Sequence, residues 1–449
     1  MQSVSADILP AIKAVAPKSR YFALLDRKVL ANVRWTFLGN ALYAASQWVM
    51  VVILARITDP QAVGTLALAF AVTAPVTIFF NMQLRAVVAT DVSGAHTLEK
   101  YLFTRLITAA GALVIIASYI AFAHKDGSTT AVILIIGLAK ASESLSDLIH
   151  GYWQFQERME LVGKSLTVRA VIGLAGFAIA IVLTRSLKWG AVGFLAGSLV
   201  VLLFFDGKRL LRERYIRKTA DCLCASPRRL FLQVVDSLSD VRAIVWLAFP
   251  LGFSAMLISL NTAIPRYFID AYFGKHDLGI FAALSYFIVV GNLAMNAVGQ
   301  SVLPRLARFF TLKKLREFRR LVLGLLLCSA AVAAVSMMVA VLGGRQLLSI
   351  YGAGYADAYP VFLIIMAAAS VGYCLCILNF TLNAIGAYRV QMPLFLGLTI
   401  VLTILSRILI PRYGLSGAAT AILITNILQG VISAALVTSH ALGTHQPQS

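Results

Sequence analysis

Charged residues are scarce in this chain. Only 13% of its 449 residues are Asp, Glu, Lys or Arg, against 60% hydrophobic, and the mean hydropathy is +0.85. A water-soluble domain carries roughly a quarter charged residues, so most of this surface must face something other than water. Acidic residues are scarcer still, 19 against 39 Lys and Arg, for a net charge of +20. Cysteine is limited to Cys222, Cys224, Cys328, Cys374 and Cys376, with no CxxC spacing, which excludes a zinc or thiol-redox motif and predicts free thiols. Motifs for bond chemistry are missing too. In the one Gly-Lys-Ser, Gly163-Lys164-Ser165, the first glycine of a phosphate-binding loop is replaced by Arg158. There is no HExxH or GxSxG, and the histidines at 96, 124, 150, 276, 440 and 445 are scattered. No connection between apolar runs is long enough for a catalytic module, and no enzymatic activity is expected.

What is present is a series of apolar runs. They fall at about 35–57, 62–84, 101–123, 130–150, 165–184, 188–206, 243–265, 279–303, 320–342, 358–381, 390–410 and 414–438. About 20 apolar residues suffice to cross a bilayer as a helix, and lipid leaves no backbone group unpaired, so each run predicts a spanning helix. The fold class is therefore all-α polytopic membrane protein, with about 12 transmembrane helices. The first 30 residues are basic, with no apolar core ending in a cleavage site, so the first spanning helix is expected to act as the insertion signal.

The basic residues are distributed by side. If the N-terminus is cytoplasmic and the helices alternate, the cytoplasmic side holds 29 of the 39 Lys and Arg. Six precede span 1; three lie between spans 2 and 3, three between spans 4 and 5, nine between spans 6 and 7, seven between spans 8 and 9, and one between spans 10 and 11. Seven fall on the opposite side: Arg56, Lys125, Arg185, Lys188, Lys275, Arg345 and Arg412. Lys140, Arg266 and Arg407 fall in or at the ends of spans. This bias predicts a multi-pass plasma-membrane protein with both termini cytoplasmic; in a Gram-negative cell that membrane would be the inner one. It also assigns the net charge to topology and to anionic membrane lipids rather than nucleic acid.

The longest break, 207–242, divides the spans six and six. The resulting layout is a basic segment 1–34, an N-terminal bundle 35–206, a basic linker 207–242, a C-terminal bundle 243–438 and a tail 439–449. The halves resemble each other. DPQAVGTLALAF between spans 1 and 2 matches GKHDLGIFAALSYF between spans 7 and 8, and aligning Gly64 with Gly279 also aligns Asn81 with Asn296. WGAVGFLAGSLV from Trp189 resembles YGLSGAATAILI from Tyr413. An even number of spans per half gives both halves one orientation, with the pseudo-twofold axis along the membrane normal.

Polar groups inside the spans cost at least about 2.5–3.5 kcal/mol each for ionised residues. In span 4, Lys140, Glu143 and Asp147 share one helical face, and Ser142, Ser146 and His150 form a second stripe. This predicts a wall on a wet interior, with a carboxylate able to take up H+ or Na+; a local Lys140–Glu143 ion pair is the alternative. Span 2 ends with Asn81, Gln83 and Arg85, where Arg85 either lines the interior or snorkels to headgroups. Span 7 carries Asn261, Arg266 and Asp270, with Arg266 and Asp270 spaced for an i,i+4 pair, and its Pro250 and Pro265 are expected to break the helix. Pro75 is a further candidate bend.

NMQLRAVVATD, AKASESLSDLIHGYWQFQERME and RYFID…GKHDLGIFAALSYF resemble the polysaccharide transporters of the O-antigen and capsule flippase type, within the multidrug/oligosaccharidyl-lipid/polysaccharide (MOP) exporter superfamily. The resemblance covers nearly the whole chain. It implies two six-helix bundles forming a V around a central cavity, and a substrate built of a sugar unit on undecaprenyl pyrophosphate, moved from the inner to the outer leaflet. It also implies Arg85, Lys140 and Arg266 as cations for the anionic headgroup. Polar lining would come from Asn81, Asn261 and Asn296. Glu143, Asp147 and Asp270 are the candidates for H+ or Na+ coupling, with no other cofactor or metal expected. A glycan polymerase and co-polymerase of the same pathway are candidate partners. The rival readings are a drug/cation antiporter of the same superfamily, which favours an acidic cavity, a peptidoglycan-precursor flippase, which usually has further spans, and a membrane glycan polymerase or ligase, which calls for a long external loop.

Overall fold

The computed structural model describes residues 19–91, 97–123, 126–212 and 227–441. Most of the basic N-terminal segment, the linker portion with Cys222 and Cys224, and the end of the tail lie outside the described residues. Among those described the structure is helical, with no strand. The N-terminal half comprises α1 (Ser19–Ile57), α2 (Pro60–Asn81, with a short continuation Leu84–Thr90), α3 (Leu98–Ala123), α4 (Gly127–Phe155) and α5 (Met159–Thr184). Its sixth helix, α6 (Leu187–Val200), runs through a π-helical stretch Val201–Gly207 into Lys208–Arg212.

The C-terminal half has two continuous-looking stretches, Pro227–Thr311 and Tyr388–Ala441. Each is two helices. Asn261 and Asn296 would stand about 50 Å apart on a straight rod, yet they line one cavity, so the chain folds back at Gly274. That residue has φ 78° and ψ −171°, a conformation closed to most side chains. Gly414, at φ 58°, makes the same reversal, because Leu402 before it and Thr425 after it line that same cavity. The half thus consists of α7 (227–273), α8 (275–311), α9 (Leu315–Ser349), α10 (Tyr359–Ala384), α11 (388–413) and α12 (415–441). Among the described residues, nine stretches are long and apolar enough to cross a membrane by composition. Dividing the two reversed ones and adding α4, whose polar stripes lower its hydropathy, brings the number to twelve. The outer faces carry large apolar side chains, such as Phe122 at 83% and Trp246 at 81% exposure, as a lipid-facing surface requires.

Local signals place several ends. Asp59 caps α2 by accepting from the Ala62 N–H at 2.8 Å, with Pro60 in the first turn. Asp126 caps α4 through the Thr129 N–H. Pro250 and Pro265 do not break α7: backbone dihedrals leave the helical region only at Gly274. Each proline removes one hydrogen bond, a loss that packed membrane helices tolerate.

The halves meet at the end where α1 passes into α2, α3 into α4 and α7 into α8. There Gly64 and Gly279 make one reciprocal contact. A Cβ on Gly64 would overlap the Lys275 carbonyl, and a Cβ on Gly279 would overlap the Pro60 carbonyl. Pro60 precedes Gly64 by the same four residues that separate Lys275 from Gly279, so the contact obeys the internal repeat. Arg56 donates from Nε to Ile350 O at 2.6 Å and from Nη2 to Ser349 O at 2.9 Å, holding the last carbonyls of α9. Lys275 bridges to Asp126, and Trp48 Nε1 donates to Tyr351 Oη at 2.7 Å. α2 also follows α7 along its length: Tyr267 donates to the Ala71 carbonyl, and Gly252 packs on Phe79 and Met82.

Two cations counted with connecting loops are inside helices. Arg105 lies within α3 and Arg169 within α5, at 0% and 4% exposure. A hydropathy run absorbs a single cation when its neighbours are strongly apolar, and both arginines have partners on other helices.

Candidate functional site

Two connected cavities lie between and within the halves. The larger, about 770 Å³, opens away from the sealed end. Its walls are α1 (Asn32, Phe37, Asn40, Tyr43), the exit of α4 (Gln154, Glu157) and α8 (Asn292, Leu293, Asn296, Gln300). The smaller, about 550 Å³, sits inside the C-terminal half and shares Val289, Asn292 and Asn296 with the first. Arg266 is in its wall.

The N-terminal half carries charge, and at Lys140, Glu143, Arg85 and Asp147 that charge is paired. Lys140 Nζ meets Glu143 Oε2 at 2.8 Å, so the i,i+3 pair forms. Tyr43 Oη donates to Glu143 Oε1 at 2.8 Å, tying α1 to α4. Phe70 and Phe194 flank the ammonium at 5.3 and 6.0 Å. Arg85 Nη1 meets Asp147 Oδ1 at 3.1 Å, and its Nε donates to Gln154 Oε1 at 3.2 Å. The other Asp147 oxygen lies 4.0 Å from Arg105 Nη2.

Arg105 also explains the end of α2. Met82 and Gln83 hold φ of 48° and 51°, a left-handed pair costly for residues with a Cβ. Arg105 Nη1 donates to the Asn81 carbonyl at 2.9 Å and to Asn81 Oδ1 at 2.7 Å, replacing the partners that the break removes.

The second stripe of α4 turns away from the cavities. His150 Nε2 is 2.9 Å from Ser165 Oγ, which donates to Asp206 Oδ1 at 2.7 Å. Arg169 Nη2 meets Asp206 Oδ2 at 3.2 Å. The π-helical turn of α6 places the fully buried Asp206 in this cluster, which fastens α4, α5 and α6 together.

The C-terminal half is lined by carboxamides instead. Asn261 accepts from Thr399 Oγ1 at 2.9 Å, and Asn296 donates to the Asn292 carbonyl at 2.8 Å. Asn426 donates to the Ala368 carbonyl at 3.0 Å, and Gln429 to Asn379 Oδ1 at 3.4 Å. Of the residues singled out from sequence, Arg266, Asn261 and Asn296 are thus brought to one cavity. Arg85, Lys140, Glu143, Asp147 and Asn81 lie in the N-terminal half outside both linings, with Tyr43 linking Glu143 to the cleft. Asp270, one turn from Arg266, lines neither cavity.

Arg105, Arg169, Asp206, Tyr43 and most of the carboxamides escaped the sequence reading. The signal for the amides was present: Asn292/Asn296 and Asn379/Asn383 at i,i+4, and Asn426/Gln429 at i,i+3, inside apolar runs.

The fold is the one seen in solved transporters of the MOP superfamily. A solved inward-facing multidrug-resistance MATE-family transporter of that superfamily superposes with a TM-score of 0.71, at 13% identity, over 92% of this chain and 96% of its own. A MOP-superfamily transporter from Pyrococcus furiosus, described as having a binding pocket of reversed polarity, gives 0.63 at 12% identity, over 92% and 95%. The chain belongs to the polysaccharide biosynthesis protein family, whose profile matches residues 29–310. The capsular polysaccharide biosynthesis protein CapF of Staphylococcus aureus is 27% identical over 401 residues, covering 89% of this chain and 97% of that protein.

Proposed function

We propose that the chain is a flippase that carries an undecaprenyl-pyrophosphate-linked oligosaccharide from the cytoplasmic to the outer leaflet by alternating access. The observation that carries this reading is the cleft between α1 and α8, continuous with a polar chamber whose wall holds Arg266. A glycan headgroup brings many hydroxyls and a pyrophosphate; each unpaired hydroxyl costs roughly 4–8 kcal/mol in hydrocarbon, and an isolated charge far more. A wet cleft removes that barrier. Phe37, Leu293 and Ala297 on the cleft walls suit a prenyl tail entering from lipid, and Arg266 suits an oxyanion through its forked donors. With the termini cytoplasmic, the open end faces the cytoplasm, where the substrate is loaded. Outward movement of a negative headgroup gains about 2.3 kcal/mol per charge at 100 mV.

Because Arg85 and Lys140 already have carboxylate partners, they set the local field of the N-terminal half, while Arg266 meets the headgroup. Proton or Na+ coupling falls to Glu143, Asp147 or Asp270, and a glycan polymerase acts downstream. The test is complementation of a deletion strain. Arg266→Glu should abolish surface glycan at normal protein abundance, and lipid-linked glycan should accumulate. Normal glycan from that variant would overturn the assignment of Arg266, and a deletion strain with unaltered surface glycan would overturn the flippase reading. A drug/cation antiporter would instead give drug sensitivity on deletion with glycan unaffected.

A further inference from the structure

The geometry points to the chamber within the C-terminal half as a subsite for uncharged sugar rings, distinct from the charged N-terminal half; this inference rests on the flippase reading above. Asn261, Asn292, Asn296, Asn379, Asn426 and Gln429 come from α7, α8, α10 and α12 and all face one cavity of about 550 Å³, within the roughly 300–1,000 Å³ typical of small-molecule sites.

Their hydrogen-bonding capacity is partly unused. Among the described residues, Asn292 makes no side-chain bond, its carbonyl alone accepting from Asn296. Asn261 uses its oxygen and keeps its NH2; Asn296 and Asn426 use their NH2 groups and keep their oxygens. Asn379 accepts from Gln429, leaving the Asn379 NH2 and the Gln429 oxygen. Six amides at bilayer depth with open donors and acceptors are costly unless a ligand or water pairs them.

The chemistry selects the ligand. A carboxamide donates and accepts, as a sugar hydroxyl or acetamido group does, and it carries no charge. No Asp or Glu lines the chamber among the described residues, so no carboxylate there selects a cation, and Arg266 is the sole charged side chain in the lining. Apolar ring surface is supplied as well. Phe380 lies in the wall, pressed so closely on α8 that a Cβ at Gly299 would overlap its ring, and such a face suits the C–H side of a sugar. Because Asn292 and Asn296 also line the α1–α8 cleft, a saccharide would pass from cleft to chamber along one row of α8.

The test uses the full-length protein in lipid nanodiscs and two probes. One is undecaprenyl pyrophosphate without sugar. The other is the lipid-linked glycan fraction extracted from cells lacking this transporter, matched by phosphate. Wild type should bind the glycan-bearing probe at least about tenfold more tightly. Asn292→Leu with Asn426→Leu should erase that preference and leave the bare probe's affinity unchanged, which also verifies folding; Asn292→Gln should retain most of the preference. A preference that survives the double leucine variant, or equal loss of both probes, overturns the proposal. Equal wild-type affinity for the two probes removes the sugar subsite while leaving the flippase reading. A wild type that binds neither probe removes both.

Discussion

Replacing Gly64 with alanine places a methyl group where the Lys275 carbonyl oxygen now lies, and the obstacle is backbone, which cannot swing aside as a side chain would. Only a separation of α2 from α8 relieves the overlap. Overpacking of this kind costs about 1–3 kcal/mol. The cost falls on the conformer in which this end is sealed and on no other, so the balance should move towards the opened conformer by roughly 5- to 150-fold. Spin labels at Lys188→Cys and Arg412→Cys, exposed sites on the two halves at this end, report the separation by pulsed electron paramagnetic resonance in a background with the five native cysteines replaced. Gly64→Ala should add a longer-distance population. Gly279→Ala should do the same, and the double variant should exceed either by less than their sum, because both substitutions strain one contact. Gly324→Ala is the control, since a Cβ there meets nothing. An unchanged distance distribution in Gly64→Ala, or the same change in Gly324→Ala, would refute the reasoning.

Three further outcomes are expected. Arg105→Leu strips the Asn81 carbonyl and Oδ1 of their donor while Asp147 keeps Arg85, so thermal unfolding in detergent should show a loss of about 1–3 kcal/mol; an unaltered melting curve would mean that the break in α2 is held by other contacts. Asp206→Leu leaves Arg169 buried without its carboxylate and should cost more, about 3–5 kcal/mol, whereas Asp206→Leu with Arg169→Leu should recover most of it; a double variant as unstable as the single would deny that the two act as a pair. The Asp126 carboxyl is held well below the ordinary carboxylate range, first by its hydrogen bond from Lys275 and then by that from Ser128. A depressed carboxyl stabilises above its unfolded pKa and loses that contribution only as pH falls through the folded value. The Lys275 bridge should therefore stay intact from pH 8 to pH 5, with unchanged spin-label distances, while Asp126→Asn weakens it at every pH; distances that lengthen by pH 5 would contradict this.

The twelve helices were legible because each crossing demands an apolar run, and the repeat was legible because Gly64 and Gly279 must both be small at one contact. The reversal points were approximately legible, since the apolar runs end near them. Arg105, Arg169 and Asp206 were not, because one ionised residue in a long apolar run barely changes its mean hydropathy, while its partners are brought in by other helices. The Lys140, Glu143 and Asp147 stripe was visible, but its pairing depended on Tyr43, Arg85 and Arg105 from α1, the α2 continuation and α3. Carboxamides were passed over for a related reason: neutral amides draw less notice than charges, although their helical spacing was on view. Helix geometry at Pro250 and Pro265 went against expectation because a proline costs one hydrogen bond, and packing against α2 keeps the backbone in place.

The mutual glycine contact has a bearing on ancestry. A surface that touches its own counterpart across a twofold is self-complementary, and six crossings return each half to the membrane in the same sense. A half-length chain with this surface would already hold what is needed to associate with a second copy of itself. Fusion of two such genes would inherit the joint complete, after which each copy was free to diverge away from it, one towards ion pairs and the other towards amides.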